Sequence, residues 1–175
     1  IVQMSARTPA ATAMAAMTID HLSSGRFILG LGASGPQVVE GWYGRPYTRP
    51  LERTREYVAI VRDIIRRDAP VEFHGAQHDL PYTGDDGTGL GKPLKSTVHP
   101  IRTEIPIYLG AEGPKNVSLA AEIGDGWLPL FFSPKDDAWY RERLRIGFEA
   151  AGDPGKANRF EVAAMMLINP GDDIE

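Results

Sequence analysis

Three glycines, Gly30, Gly32 and Gly35, stand at the spacing G-x-G-x-x-G in the stretch RFILGLGASGPQVVEGWYG, directly after an apolar run. In a dinucleotide-binding turn that spacing lets the backbone approach a pyrophosphate seated on the N-terminus of a long helix. No such helix can follow here, because Gly41, Gly44 and Pro46 interrupt anything started at Pro36 within about two turns. The acid that a Rossmann unit places about 20 residues further on would be Glu52 or Glu56. Both lie in a helical pattern instead of ending a second strand. Gly30 and Gly32 therefore read as close-packing positions in a strand, and Ala33, Ser34 and Gly35 as the loop at its carboxyl end. Ligands gather at that end of a strand both in an open doubly wound sheet and in an eight-fold barrel.

A second junction, IYLGAEGPKNVSLAAEIGDGW, carries the stronger anion signal. After a strand ending near Leu109, the small residues Gly110, Ala111 and Gly113 leave backbone N–H groups uncovered. Pro114 then opens a helix whose dipole favours negative charge. A phosphate fits such a turn. Lys115 could add a point charge, although a lysine in a first turn is more commonly just solvated, and Glu112 should point away from a bound anion.

Other matches dissolve. TGLGKP resembles a Walker loop, but Asp86 stands where its first glycine is required and Pro93 where a hydroxyl would hold magnesium. His74 and His78 are expected on one face of a hairpin with no third metal ligand, and His21 at a helix end facing its dipole. No Ser-His-Asp set and no close pair of carboxylates stands out, so no catalytic side chain is assigned.

The elements that must position these loops alternate in type. TPAATAMAAMTIDHLSSG predicts a helix over about 8–23, with Thr8 as N-cap, Pro9 at the first position and Gly25 as stop. RFILGLG is a nearly continuous apolar run, the pattern of a strand buried on both faces. PYTRPLERTREYVAIVRDIIRRDAP predicts a helix opened by Pro50, with Leu51, Val58, Val61 and Ile65 on one face. VEFHGAQHDLPY predicts a hairpin turned at Gly75, followed by a long loop rich in glycine. Strand IPIYLG, helix PKNVSLAAEIG, strand WLPLFF, helix SPKDDAWYRERLRIGFEAAG, with Ser133 before Pro134 as its start, and strand FEVAAMMLI then resume the alternation. Strands alternating with helices imply a parallel sheet, either an open doubly wound sheet or part of an eight-fold barrel. About five strands are counted. The opening at Ile1, inside a strand-like segment and without methionine, leads us to expect an upstream piece.

Composition narrows the field. The 175 residues are enough for one domain, are 42% hydrophobic and 24% charged, and carry a net charge of -4. The one dense basic run, RTREYVAIVRDIIRR, alternates with carboxylates at helical spacing, which argues for a solvated helix face and against nucleic acid. Zero cysteines removes disulfides and thiolate chemistry and fits a cytoplasmic location. No apolar run approaches the roughly 18 residues of a membrane span.

With both loops placed, the sequence resembles the bacterial luciferase-like family of flavin- and deazaflavin-dependent oxidoreductases. The resemblance is carried by DHLSSGRFILGLGASG at 20–35, VVEGWYG at 38–44, RPLERTREYVAIVRDIIR at 49–66 and IPIYLGAEGPKNVSLAAEIGDGWLP at 105–129. The last of these is closest to the deazaflavin branch.

The resemblance implies the central part of a TIM (β/α)8 barrel, a fragment lacking the first strands and the last, with 70–104 as an insertion near the active site. It implies hydride transfer between coenzyme F420 and a small organic substrate, with FMN as the alternative cofactor, and a homodimer. The family's ring-backing non-prolyl cis peptide would precede Ile1, so Ile1, Val2 and Gln3 would touch the ring or its ribityl chain. Ala33, Ser34 and Gly35 would contact the cofactor with Val38 or Val39 nearby, and Gly110, Ala111, Glu112 and Gly113, with Lys115, would take its phosphate. Some sugar-phosphate dehydrogenases of this family carry a glutamate proton donor in the loop where this chain has Gly35, which argues against that substrate. Rivals are an FMN-dependent monooxygenase of the same family, an open-sheet NAD-dependent dehydrogenase, and a non-catalytic flavin-binding barrel.

Overall fold

The computed structural model describes residues 1–165. Five parallel strands form one sheet: β1 (Val2–Gln3), β2 (Leu29–Gly32), and, after a two-stranded antiparallel hairpin of β3 (Phe73–His74) and β4 (Asp79–Leu80), β5 (Ile107–Gly110), β6 (Gly126–Leu128) and β7 (Glu161–Val162). Between them run α1 (Pro9–Leu22), α2 (Pro36–Gly41), α3 (Pro50–Arg66), α4 (Pro114–Ile123), α5 (Asp137–Ala151) and α6 (Lys156–Arg159). The sheet order β1-β2-β5-β6-β7 follows the chain without reversal. A doubly wound sheet reverses its order at a switch point, whereas a barrel adds each strand beside the last. The helices agree: α1 packs on α3, α3 on α4 and α4 on α5, one continuous layer on one face. The architecture is an arc of a TIM barrel.

The helix starts are local chemistry. Thr8 caps α1 by accepting from the Ala11 amide at 3.2 Å, with Pro9 at the first position. Pro50 and Pro114 open α3 and α4 in the same way. α2 ends after 6 residues, so no long dinucleotide-binding helix follows Gly35. The start expected at Ser133 is shifted: Ser133 precedes a 3-10 turn over Pro134–Asp136, and α5 begins at Asp137 with Asp136 as its N-cap. The strand expected over FEVAAMMLI is described only for Glu161–Val162, and residues 166–168 of it lie outside the described residues.

Strand alternation divides the side chains. Leu29, Leu31, Ile107, Leu109 and Trp127 face the helices and pack with Ala13, Ala16, Met17, Tyr57, Ile60, Val61, Val117 and Ala120 in the core. Gly30, Gly32, Tyr108, Gly110, Gly126 and Leu128 take the opposite face, the inner face of the barrel arc.

The segment between α3 and β5 is held down at several points. Glu56, 8% exposed on α3, accepts from the amides of Ala76 at 2.8 Å and Gln77 at 2.9 Å in the hairpin turn. Gly75 donates to the His78 carbonyl at 2.8 Å, closing that turn where the sequence places it. Further along, Arg67 bonds the Ser96 carbonyl at 3.0 Å and Lys95 the Asp68 carbonyl at 2.8 Å.

Candidate functional site

One row of the sheet aligns the predicted residues. Gln3 is in register with Gly32, Gly32 with Gly110, and Gly110 with Leu128. From this carboxyl edge leave the loops Ala33–Gly35 and Ala111–Gly113, so the structure brings Val2, Gln3, the first loop and the second loop to one rim. The two adjacent glycines leave no side chain between Gln3 and Leu128. A Cβ at Gly32 would lie 3.2 Å from Ile1, and one at Gly110 3.3 Å from it, because Ile1 lies across the glycine pair. The Gln3 amide oxygen is buried on this edge strand with no hydrogen-bond partner among the described residues. A buried acceptor without a donor is costly, which marks the position as one suited to a ligand.

The first loop is held in an uncommon conformation. Ser34 has φ 61, a left-handed value that a residue with a side chain adopts only when its surroundings impose it. The Tyr47 hydroxyl donates to the Ser34 carbonyl at 3.2 Å. The Gly35 carbonyl accepts from Val38 at 3.1 Å and Val39 at 3.0 Å, turning the chain into α2. Val39 is wholly buried and Val38 half-buried.

The second loop is pinned carbonyl by carbonyl. The Trp127 indole N–H donates to the Ala111 carbonyl at 2.8 Å, and the Asn116 amide donates to the Glu112 carbonyl at 2.9 Å. The Glu112 carboxylate accepts from the Leu130 amide at 2.7 Å, so its side chain is taken up by the loop after β6. Gly113 has φ 78 and ψ 160, with open space where a Cβ would stand. Pro114 follows at the first position of α4, whose first turn holds no acidic residue. The Lys115 and Asn116 amides belong to that turn and have no carbonyl one turn back. Lys115 is exposed beside them. The arrangement is a turn of outward amides at the positive end of a ten-residue helix, chemistry suited to one or two anionic oxygens.

Below the rim, the inner face carries one polar pair. The Tyr108 hydroxyl donates to the Glu161 carboxylate. Burial, followed by that carboxylate, pushes the phenol up to about 12. Gly126 makes room, since a Cβ there would lie 2.7–2.8 Å from the Tyr108 ring.

Several residues singled out in the sequence hold structure instead. Asp20 is buried against Arg102 and also accepts from the Phe27 amide at 3.3 Å, and His21 Nε2 lies 2.6 Å from the His99 carbonyl. His74 and His78 do not share a partner: His74 Nδ1 is 2.6 Å from Asp79, His78 Nδ1 is 3.1 Å from Glu56. The reading of the sequence missed Trp127, Asn116 and Tyr47. Their signals were the tryptophan of GDGW, an asparagine at the third position of a helix, and a tyrosine beside a proline in a loop, and each bonds a carbonyl that the sequence does not identify.

Comparison with known proteins fits this geometry. The family model described as luciferase-like monooxygenase matches residues 1–175. A protein of Mycobacterium tuberculosis, whose name proposes a coenzyme F420-dependent oxidoreductase, is 57% identical over 173 residues, 99% of this chain and 50% of the relative. The 5,10-methylenetetrahydromethanopterin reductase of Archaeoglobus fulgidus is 38% identical over 146 residues, 83% of this chain and 39% of the relative. Among solved structures, the coenzyme F420-dependent tetrahydromethanopterin reductase of Methanopyrus kandleri superposes with a TM-score of 0.73 at 26% identity, covering 90% of this chain and 46% of that one. The chain thus spans about half the length of the curated relatives it matches. A parallel arc whose glycine-lined rim ends in two loops, one of them suited to an anion, and which the family model matches from its first residue to its last, belongs to the luciferase-like monooxygenase family.

Proposed function

We propose that this chain forms the cofactor-holding arc of an oxidoreductase that transfers a hydride between coenzyme F420 and a small organic substrate. The observation that carries the reading is the turn Gly110–Gly113, whose carbonyls are tied back by Trp127 and Asn116 at the start of α4. Support also comes from two relatives whose names carry F420-dependent oxidoreductase or methanopterin reductase chemistry. The residues present fit the group. The turn offers backbone donors to a phosphate, and the Gln3 amide oxygen lacks a donor among the described residues.

When bound, F420 supplies the carbon that gives up or receives the hydride. The chain's residues do the holding. Glu112 and Gly113 would bind the phosphate through their amides, with Lys115 adding charge from the first turn of α4. Ala33, Ser34 and Gly35, with Val38 behind them, would border the linking chain, and Ile1, Val2 and Gln3 would lie along the ring. Such holding brings reacting atoms to about 3–3.5 Å and makes transfer effectively unimolecular. No side chain is assigned a proton-transfer role. The reading includes a homodimer, supported by the resemblance, and a cytoplasmic setting, supported by the absence of cysteine.

Fluorescence titration of the full-length protein with F420 and separately with FMN tests the reading. Saturable F420 binding, with FMN bound far more weakly, is the expected result. Preference for FMN, or binding of neither, refutes it.

A further inference from the structure

We infer that Trp127 and Asn116 are positioning residues that set two successive peptide planes, so that the Glu112 and Gly113 N–H groups face the phosphate position. The inference rests on the reading that this turn takes the cofactor's phosphate. A trans peptide is planar, with its C=O and N–H pointing opposite ways. Drawing the Ala111 carbonyl onto the Trp127 indole therefore turns the Glu112 N–H away from the core. Drawing the Glu112 carbonyl onto Asn116 orients the Gly113 N–H in the same manner.

The indole gives this orientation its energetic weight. Trp127 is wholly buried and its nitrogen can only donate. Flipping the Ala111–Glu112 peptide would aim a carbonyl at the anion and leave the indole N–H buried without a partner, a cost of two kinds. Nor can the ring turn to follow. Tyr140 at 5.2 Å and Phe132 at 6.5 Å, between ring centroids, hold it in an aromatic cluster behind the turn. The bond from Leu130 to the Glu112 carboxylate fixes the residue between the two planes. Asn116 is only half-buried, so water can partly replace its bond and its share is smaller.

The discriminating readout is the ratio of affinities for F420 and for the same deazaflavin with its ribityl chain but without the phosphate arm, measured on the full-length protein. Wild type favours F420. Replacing the Trp127 indole by its sulfur isostere benzothienylalanine keeps the ring shape and removes the donor. The ratio falls about tenfold, the scale of one charge-assisted bond, while affinity for the phosphate-free compound is unchanged. Asn116→Ala lowers the ratio about threefold, and it carries the test alone if the isostere fails to fold. A wild-type ratio of one overturns the phosphate reading itself. A high wild-type ratio that folded variants retain overturns only the positioning role.

Discussion

Asp20, at the end of α1, is bound in bidentate fashion by Arg102, 82 residues later: Nε lies 3.0 Å from one carboxylate oxygen and Nη2 2.7 Å from the other. The pair joins the end of the long α3–β5 connection to the strand entry at Phe27, whose amide and carbonyl both bond to it. Asp20 is 1% exposed, whereas the Arg102 side chain keeps 31%. Arg102→Ala would strand a buried carboxylate and is expected to cost about 3 kcal/mol, the lower end for a broken buried pair because the arginine is part-solvated. Urea denaturation of the two proteins checks this.

The same pair sets an acid limit. The Arg102 hydrogen bonds hold the Asp20 carboxyl below its ordinary value of 3.8. A carboxylate lowered by folding contributes stability that is fully present above the unfolded value and is lost as pH falls through the folded one. Wild type should therefore lose stability below 3.8 more steeply than Asp20→Asn, which carries no titrating group there. Denaturation midpoints followed down to about pH 2 read the difference, and parallel curves contradict it.

Gly75 sits against Glu56 so closely that a Cβ would lie 2.5–2.7 Å from the carboxyl atoms. Gly75→Ala must displace the Glu56 carboxylate from the turn amides it accepts from, and is expected to cost about 1–3 kcal/mol. Amide exchange at Ala76 and Gln77 should accelerate, since both amides donate to Glu56. Unchanged protection there would show that the clamp does not hold the turn.

Tyr108 should be among the last tyrosines to ionise. Its burial and its bond to Glu161 place the phenol near 12, against an ordinary value of 10.0. A proton held more tightly in the folded state gives stability present below the unfolded value and lost as pH rises towards the folded one. Tyrosinate absorbance of wild type minus Tyr108→Phe isolates this step among the six tyrosines. A difference titration centred near 10.0 would contradict the burial of this phenol and its bond to Glu161.

Gly113 occupies a backbone region, φ 78 and ψ 160, that is essentially reserved for glycine. Gly113→Ala is expected to strain the turn by about 1–3 kcal/mol and to weaken F420 more than the phosphate-free deazaflavin. Equal loss for both ligands, read by the same fluorescence titration, would detach the turn from the phosphate.

The elements were legible because their signals are local. Thr8-Pro9, Pro50 and Pro114 mark helix starts, and LGLG and IYLG are strands bounded by glycine. The loops at their ends were legible for the same reason, as glycine and proline dictate backbone without reference to anything distant. What escaped was pairing across the chain. Asp20 within a motif does not announce Arg102, nor Tyr108 its Glu161, 53 residues on. Trp127 read as one more apolar strand residue, because an indole in a core pattern signals burial and not the direction of its single donor. Two histidines four apart suggested a shared face, but the turn at Gly75 sends them to different carboxylates.

A crystal structure of the full-length protein with F420 tests the central claim most directly. The account predicts phosphate oxygens within hydrogen-bond reach of the Glu112 and Gly113 nitrogens, with the Ala111 carbonyl still on the Trp127 indole. A phosphate bound elsewhere, with those amides facing only solvent, would contradict it.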